Sequence, residues 1–294
     1  MNAPAARRPR LIVNADDFGV SPGVNRAVAA AYDQGRLNSA SLIINAAHAE
    51  EALALARARP GLEVGLHLNL TAQMGQKPAA PPARVPLLTD SAGRLKHGFV
   101  SLLLLSLLRP EDLRAQVAAE MRAQVELALA KGLSPAHLDS HRHAHMIPLL
   151  FEEALKIKRD YGLNRLRSVN EDLRATRAGA GLGPALVNGG LIKFLVLKTC
   201  GLFHSEKSET YFYSILHGTR LYGRHLGRVL VPARHPAVEL CFHPGRPEED
   251  MKTGEPGLAA YLLFSPDRQR EYEALLDPGL ESRVCFLEPR PRTP

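Results

Sequence analysis

Tryptophan is absent from the 294 residues, and aromatic side chains make up only 5% of them. A surface built to stack bases or sugar rings on indole is therefore not expected. Cysteine is nearly as scarce: Cys200, Cys241 and Cys285 are widely spaced, and no pair forms a C-x-x-C. An odd, dispersed set of this kind argues against a disulfide framework and suits a reducing compartment. No run of about 18 uncharged apolar residues occurs, so no transmembrane helix is expected. The opening residues carry arginines but no apolar stretch of the kind a secretory signal needs. Together these absences predict a cytoplasmic protein.

What is present supports a sizeable core, because 45% of the residues are hydrophobic. The formal charge is +7, with much of the excess at the ends, in Arg7, Arg8, Arg10, Arg290 and Arg292. Solvated tails account for such charges. Attraction to an anionic partner is the sharper reading. No recognised nucleic-acid module accompanies the charge, so nucleic acid is not expected as a partner. A peripheral membrane contact and a homo-oligomer both stay open. The chain divides into a basic tail over residues 1–10, one α/β domain over 11–288 and a second tail over 289–294.

Leu11-Ile12-Val13 reads as a buried strand that stops at Asn14-Ala15-Asp16-Asp17. Ser21-Pro22 then opens a helix, and Gly35 closes it. A strand over 40–44, a helix over 47–59 and a strand over 63–69 follow. This β-α-β-α-β alternation implies a parallel sheet, whose chemistry gathers at the carboxyl ends of the strands. Residues 76–98 read as a long loop. The apolar run 99–108 suits a buried helix or a lid, and 111–131 a long amphipathic helix. A strand over 136–140 precedes a helix after Pro148. Residues 170–190 show little pattern, and 186–203 reads as a buried or surface-docked helix. Strand 239–242 ends at His243-Pro244, and one more short strand is expected near the end.

Four segments share one design, an apolar run that ends in Asp or His. Adjacent carboxylates at Asp16 and Asp17 repel when buried, and a bound cation relieves that repulsion. One can ligate while the other acts as general base; a helix or turn cap is the plainer alternative. His67 alone would be an ordinary hydrogen-bonded core histidine. The densest signal is His137, Asp139, His141, His143 and His145, all at odd positions and so on one side of any extended stretch. The segment cannot be extended throughout, so not all five need share one site. Neutral imidazole is a common metal ligand, and a neighbouring carboxylate orients it. His243 can serve as a general acid or simply fix the turn before Pro244. Spacing alone thus argues for a hydrolytic site with one divalent metal, and it does not name the substrate.

Asn14-Ala15-Asp16-Asp17-Phe18-Gly19, Gly65-Leu66-His67-Leu68 and His137-Leu138-Asp139-Ser140-His141, followed by His143 and His145, resemble the motifs of the YdjC-like carbohydrate deacetylases, also called the ChbG/HpnK type. Phe242-His243-Pro244 resembles the family's late His-Pro motif. The resemblance covers roughly residues 10–160 and returns near 240. It implies a distorted (β/α) barrel with parallel strands, related to the polysaccharide deacetylases. It implies one divalent metal ion, Mg2+ or Zn2+, held by Asp17, His67 and His141. Asp16 would be the base and His243 the acid, with Asn14, Asp139, His143 and His145 binding substrate or supporting the ligands. The implied substrate is an N-acetylated sugar or a glycolipid. The apolar stretches 99–108 and 186–203 suit a lipid-bearing form, as in a hopanoid-linked amino sugar. Metal-dependent phosphoester hydrolysis is the rival enzyme class, and a metal- or anion-binding protein the non-enzymatic one. The first would want Arg or Lys to clamp phosphate, and none faces inward within the motifs if the histidine stretch is extended.

Overall fold

The computed structural model of the protein describes residues 9–72, 75–187, 189–218, 220–252 and 266–287. Residues 1–8 of the expected basic tail and all of 289–294 lie outside the described residues.

The first five elements alternate as the sequence implies: β1 (Arg10–Phe18), α1 (Pro22–Asp33), β2 (Ser39–Leu42), α2 (Ala49–Arg57) and β3 (Glu63–Leu68). Local chemistry starts α1. Pro22 presets its first turn, and the Ser21 side chain accepts from the Val24 amide. Asp250 completes the cap, accepting from Ser21 Oγ at 2.9 Å and from the Gly23 amide at 2.7 Å. The loop after β3 is less free than its Pro and Gly content suggests. Its Ala79 and Ala80 amides donate to buried Glu120, at 2.8 and 2.9 Å. Glu120 lies on α4 (Pro110–Ala130), whose Leu113, Val117, Met121 and Val125 recur at helical spacing and are buried. The apolar run before it is α3 (Phe99–Leu108). β4 (Leu138–Ser140) and α5 (Pro148–Asp160) follow, and α5 packs on α4.

The stretch with little sequence pattern contains α6 (Leu173–Ala180) and α7 (Gly183–Val187), ahead of α8 (Gly190–Gly201). β5 (Thr210–Tyr213), β6 (Val229–Val231), β7 (Ala237–Phe242), α9 (Pro247–Met251), α10 (Pro266–Leu275) and β8 (Val284–Phe286) complete the chain. α3 corrects the expectation of a buried helix. Leu102 is buried in it, but Val100, Leu104, Leu107 and Leu108 face outward.

Six strands form one parallel sheet in the order β4-β3-β2-β1-β7-β5. The sheet curls as an incomplete barrel, with β4 and β5 at its two edges. β6 and β8 pair separately. This is the parallel-stranded α/β barrel-like fold that the sequence implies.

The gap between the edges is closed by residues 165–170, which no strand pattern announced. The Leu138 amide donates to Arg165 O at 2.8 Å, and the Arg167 amide donates back to Leu138 O at 2.9 Å. On the far side the Asn170 side chain takes the place of a strand. Its Nδ2 donates to Ser208 O and Thr210 O, at 3.2 and 2.9 Å, and its Oδ1 accepts from the Phe212 amide at 2.8 Å. Asn170→Ala removes all of these and leaves part-buried backbone groups on β5 unpaired. It is expected to lower unfolding free energy by about 1–3 kcal/mol. Urea denaturation measures this, and Asn170→Asp, which keeps the acceptor, should fall between the two.

Candidate metal centre and catalytic site

In a regular strand Asp16 and Asp17 would point to opposite faces. Here the register of β1 against β2 shifts between Ala15 and Phe18, and Asp17 adopts φ of 68°. A bulge with one residue in the left-handed region, which Asp tolerates better than most, re-aims the second side chain. Both carboxylates therefore flank one nitrogen. His67 Nε2 lies 3.9 Å from Asp16 Oδ2 and 3.7 Å from Asp17 Oδ1.

His67 is oriented from behind. It is the register partner of Asp139 across β3 and β4, and its Nδ1 lies 2.6 Å from Asp139 Oδ1. A carboxylate on Nδ1 fixes the ring and leaves Nε2 for the site. Gly65, two residues earlier, has to lack a side chain. A Cβ there would lie 2.3 Å from the His137 ring. His137 thus packs below the site, with Nε2 at 3.0 Å from Ser41 Oγ, and does not join the ligands.

The histidine stretch is extended only as far as Ser140. His141–Met146 coils into a tight helical turn, with Arg142 and His143 at positive φ. The segment is therefore not extended throughout, and the five residues do not share one site, because a turn scatters what an extended strand would align. His141 turns back to the centre, its Nδ1 3.0 Å from Asp17 Oδ1. His143 is buried, edge-on to Phe212 at 5.6 Å between ring centroids. Both nitrogens of His145 are engaged with the scaffold, Nδ1 at 2.7 Å from Ser140 Oγ and Nε2 at 2.9 Å from Arg167 O. Asn14 supports the site, its Nδ2 donating to Asp16 Oδ1 at 2.8 Å. His243, at the end of β7, places Nε2 3.9 Å from Asp16 Oδ2 and Nδ1 3.5 Å from Glu271 Oε2.

The sequence did not reveal Arg167, Glu239, Arg268 or Glu271. Arg167 is fully buried and donates to both oxygens of Asp16, at 2.8 and 2.9 Å. The same guanidinium lies 2.7 Å from Asp139 Oδ2 and 2.7 Å from Glu239 Oε1, and sits 5.1 Å over the Phe212 ring. Arg268 of α10 donates to Asp17 Oδ2 at 2.5 Å. One signal was available: Glu239 is a charged residue inside an apolar strand, and a buried carboxylate needs a cation. Nothing local singles out Arg167 or Arg268 as that kind of partner.

Burial alone would raise the carboxylate pKa values. For Asp16 it is outweighed by Arg167, His67 and His243, and for Asp17 by Arg268 and His141; both lie well below the usual range. Burial likewise opposes charge on His67, yet Asp139, Asp16 and Asp17 raise its pKa to about 9. The pocket between the strand ends therefore favours a positive charge.

A divalent cation fits that pocket. One oxygen of Asp17 and one ring nitrogen each of His67 and His141 lie within 4.8 Å of one another. One carboxylate and two imidazoles leave further positions open for water and substrate. Two other groupings meet the same distance, Asp16 with His67 and Asp139, and Asp16 with Cys241 and His243. They fit less well. Asp139 is already committed to His67 Nδ1 and Arg167, and burial pushes the Cys241 thiol well above its usual pKa.

A family model described as "YdjC-like protein" matches residues 10–284. A "Carbohydrate deacetylase" of Brevibacillus brevis is 39% identical over 153 residues, 52% of this chain and 56% of that protein. One of Thermoanaerobacter pseudethanolicus is 35% identical, over 52% of this chain and 58% of its own. In both, the match spans little more than half the relative's length. A "Chitooligosaccharide deacetylase" of Enterobacter sp. (strain 638) is 30% identical over 94% of each chain. Among solved structures, a candidate cellobiose-phosphate cleavage protein of Enterococcus faecalis V583 superposes with a TM-score of 0.63 over 94% of each chain. At 22% identity this likeness speaks to the fold.

Two outcomes follow for stability. Arg167→Met keeps the bulk but leaves three buried carboxylates without their shared cation, and is expected to lose about 3–5 kcal/mol, read by urea unfolding. The second concerns pH. Burial holds His137 and His145 at pKa values of about 4, against 6.5 for the free side chain. The unfolded chain takes up these protons near 6.5 and the folded chain does not. Their contribution is complete above pH 6.5 and is lost as pH falls towards 4. The slope is at most about 1.4 kcal/mol per pH unit for each histidine. His145→Gln should flatten it in urea titrations between pH 7 and pH 4.

Proposed function

This chain belongs to the YdjC-like protein family, and on that premise we propose that it is a metal-dependent hydrolase that removes the acetyl group from an N-acetylated amino sugar, releasing acetate and a free amine. The observation that carries the reading is the convergence of Asp17, His67 and His141 on one small volume with a second, non-ligating carboxylate, Asp16, beside it. The names of the relatives supply the substrate class.

Asp17, His67 and His141 would hold the cation. When bound, a divalent cation supplies a Lewis acid that polarises an amide carbonyl and makes a water easier to deprotonate. The remaining work falls to this chain's own groups. Arg167 keeps Asp16 ionised and clamps both of its oxygens, so the carboxylate is a fixed proton acceptor. The same clamp lowers its basicity, so its strength as a base depends on the water being acidified. Asp139 holds the His67 ring in place. Glu271 lies beside Nδ1 of His243 and leaves Nε2 on the side of Asp16, where it can deliver a proton to the departing nitrogen.

Phosphoester hydrolysis is the weaker reading, for a specific reason. The site does contain arginines, but Arg167 is engaged by Asp16, Asp139 and Glu239, and Arg268 by Asp17. A phosphate clamp needs guanidinium groups that are not already neutralised. The finer choice between a free oligosaccharide and a sugar-headed lipid leans on a different feature. An apolar groove of about 460 Å³ lies between α3, α5 and α8, and it favours the lipid form.

Acetate release from a panel of N-acetylated sugars and glycolipids tests the reading. Chelation should abolish turnover and added divalent metal restore it. Asp16→Asn is expected to reduce kcat by about 10²–10⁴-fold, with metal content by elemental analysis unchanged. Activity indifferent to both the chelator and the substitution would sink the proposal. Efficient turnover of diacetylchitobiose with none of lipid-linked N-acetylglucosamine would remove the lipid form alone.

A further inference from the structure

Cys241 is a buried free thiol beside the strand ends, and the proposed reaction does not use it. Strand periodicity puts it there. Glu239, Cys241 and His243 alternate along β7 and past its end, and so share one face. Glu239 meets Arg167 at 2.7 Å, which marks that face as the interior of the curled sheet. On the neighbouring strand Asn14 is the register partner of Cys241. Asp16 follows Asn14 on the same side, bonded to it at 2.8 Å, and lies level with His243, one step past the last paired residues, Ala15 and Phe242. One ligand atom each of Asp16, Cys241 and His243 therefore lies within 4.8 Å of the others.

Oxygen, sulfur and nitrogen around one small volume make a donor set for a thiophilic ion. Around a tetrahedral zinc such atoms stand about 3.3–3.6 Å apart, from bond lengths of about 2.0–2.3 Å. His243 Nε2 and Asp16 Oδ2 are 3.9 Å apart, so a small side-chain adjustment closes that pair. Glu271 stands 3.5 Å from His243 Nδ1 and leaves Nε2 for the site, as Asp139 does for His67. Arg167 Nη1 donates to Asp16 Oδ2 at 2.9 Å, and a carboxylate oxygen has a further lone pair for a metal. The thiol sets the selectivity. Burial and the Asp16 carboxylate hold its pKa well above the usual thiol range, so it keeps its proton until a cation displaces it. Mg2+ prefers oxygen and gains little from sulfur, whereas Zn2+ and Cd2+ bind thiolate strongly. The grouping of Asp17, His67 and His141 has no sulfur, so the two sites differ in the ions they favour.

We propose that Asp16, Cys241 and His243 form a second ion site, for a thiophilic divalent cation such as Zn2+ or Cd2+, and that filling it inhibits hydrolysis. Binding forms one metal–sulfur bond and releases the thiol proton to water, with no change of oxidation state. The ion occupies Asp16 Oδ2 and His243 Nε2, the side chains assigned above to accept and deliver protons. Asp16 Oδ2 is 3.9 Å from both His243 Nε2 and His67 Nε2, and so stands between the two sites. Hydrolytic sites hold paired cations about 3.5–4 Å apart. The inhibition rests on the deacetylase reading, and the binding does not.

The full chain, supplied with Mg2+, is titrated with Cd2+ while the ultraviolet thiolate-to-cadmium charge-transfer band is followed. Wild type is expected to develop the band, and the double variant Cys200→Ser, Cys285→Ser to develop it as fully. Cys241→Ser should remove it and weaken binding of that ion at least about 100-fold, since losing a supporting partner alone costs up to about that much. Cys241→Ala repeats the measurement if the serine variant melts early. In acetate-release assays Zn2+ beyond the first equivalent should silence wild type, while Cys241→Ser keeps its basal activity and resists. The site is overturned if wild type gives no band, if the band survives in both Cys241 variants, or if it vanishes in the double variant, which would assign it to Cys200 or Cys285. Equal zinc inhibition of wild type and Cys241→Ser would overturn the inhibitory role and place the zinc elsewhere. A wild type that turns over no substrate would defeat the deacetylase reading, and the cadmium band would still decide the site.

Discussion

The guanidinium of Arg167 stands inside the curled sheet with Asp16, Asp139 and Glu239 around it. Each of these groups would be strongly disfavoured there alone, because removing a charge from water costs several kcal/mol unless a partner and hydrogen bonds replace the solvent. Strands β1, β4 and β7 each contribute one carboxylate, so one side chain ties three strands through their interior. Arg167 arrives on the segment that closes the gap between the sheet edges. Closure and charge balance are therefore one constraint. His145, from the turn after β4, fixes that segment further by approaching the Arg167 carbonyl.

With the interior charges balanced, the strand ends can carry an excess of negative charge towards the opening. The bulge and left-handed backbone at Asp17 bring a second carboxylate to the side of the first. His67, pressed among Asp16, Asp17 and Asp139, holds a proton more tightly than a free imidazole. In the proposed centre a metal cation would lie among Asp17, His67 and His141, whose ligand atoms are within 4.8 Å of one another. Asp16 is adjacent yet differently employed, because its two oxygens are taken by Arg167. The separation of roles proposed for the neighbouring aspartates thus rests on which cation each one faces: Arg167 for Asp16, Arg268 and His141 for Asp17.

The same turn links this polar interior to the apolar outer helices. α3 and α8 each pack one side against it and leave another apolar side outward. Among the described residues no helix is long and apolar enough to cross a membrane. The sheet thus holds its charges inside, at the strand ends, while α3 and α8 leave apolar side chains outside and nearby.

The order of strands and helices through β3, the parallel sheet and the placement of Asp16, Asp17 and His67 at strand ends were legible in the sequence. They depend on local periodicity and on residues such as Ser21-Pro22 that start a helix by themselves. The family motifs also marked His141, Asp139 and His243. That the histidine stretch is not extended throughout was expected, but where it turns was not legible, because positive φ at Arg142 and His143 is selected by packing and not by a glycine that could be read. β5, the closing segment and α6 were invisible, since their partners lie far along the chain. Composition and spacing thus determined the fold class and which Asp and His residues gather at the strand ends. Only the tertiary structure decided which carboxylate faces which cation, because Arg167 and Arg268 reach Asp16 and Asp17 across 151 and 251 positions of chain, and no local pattern encodes a contact of that range.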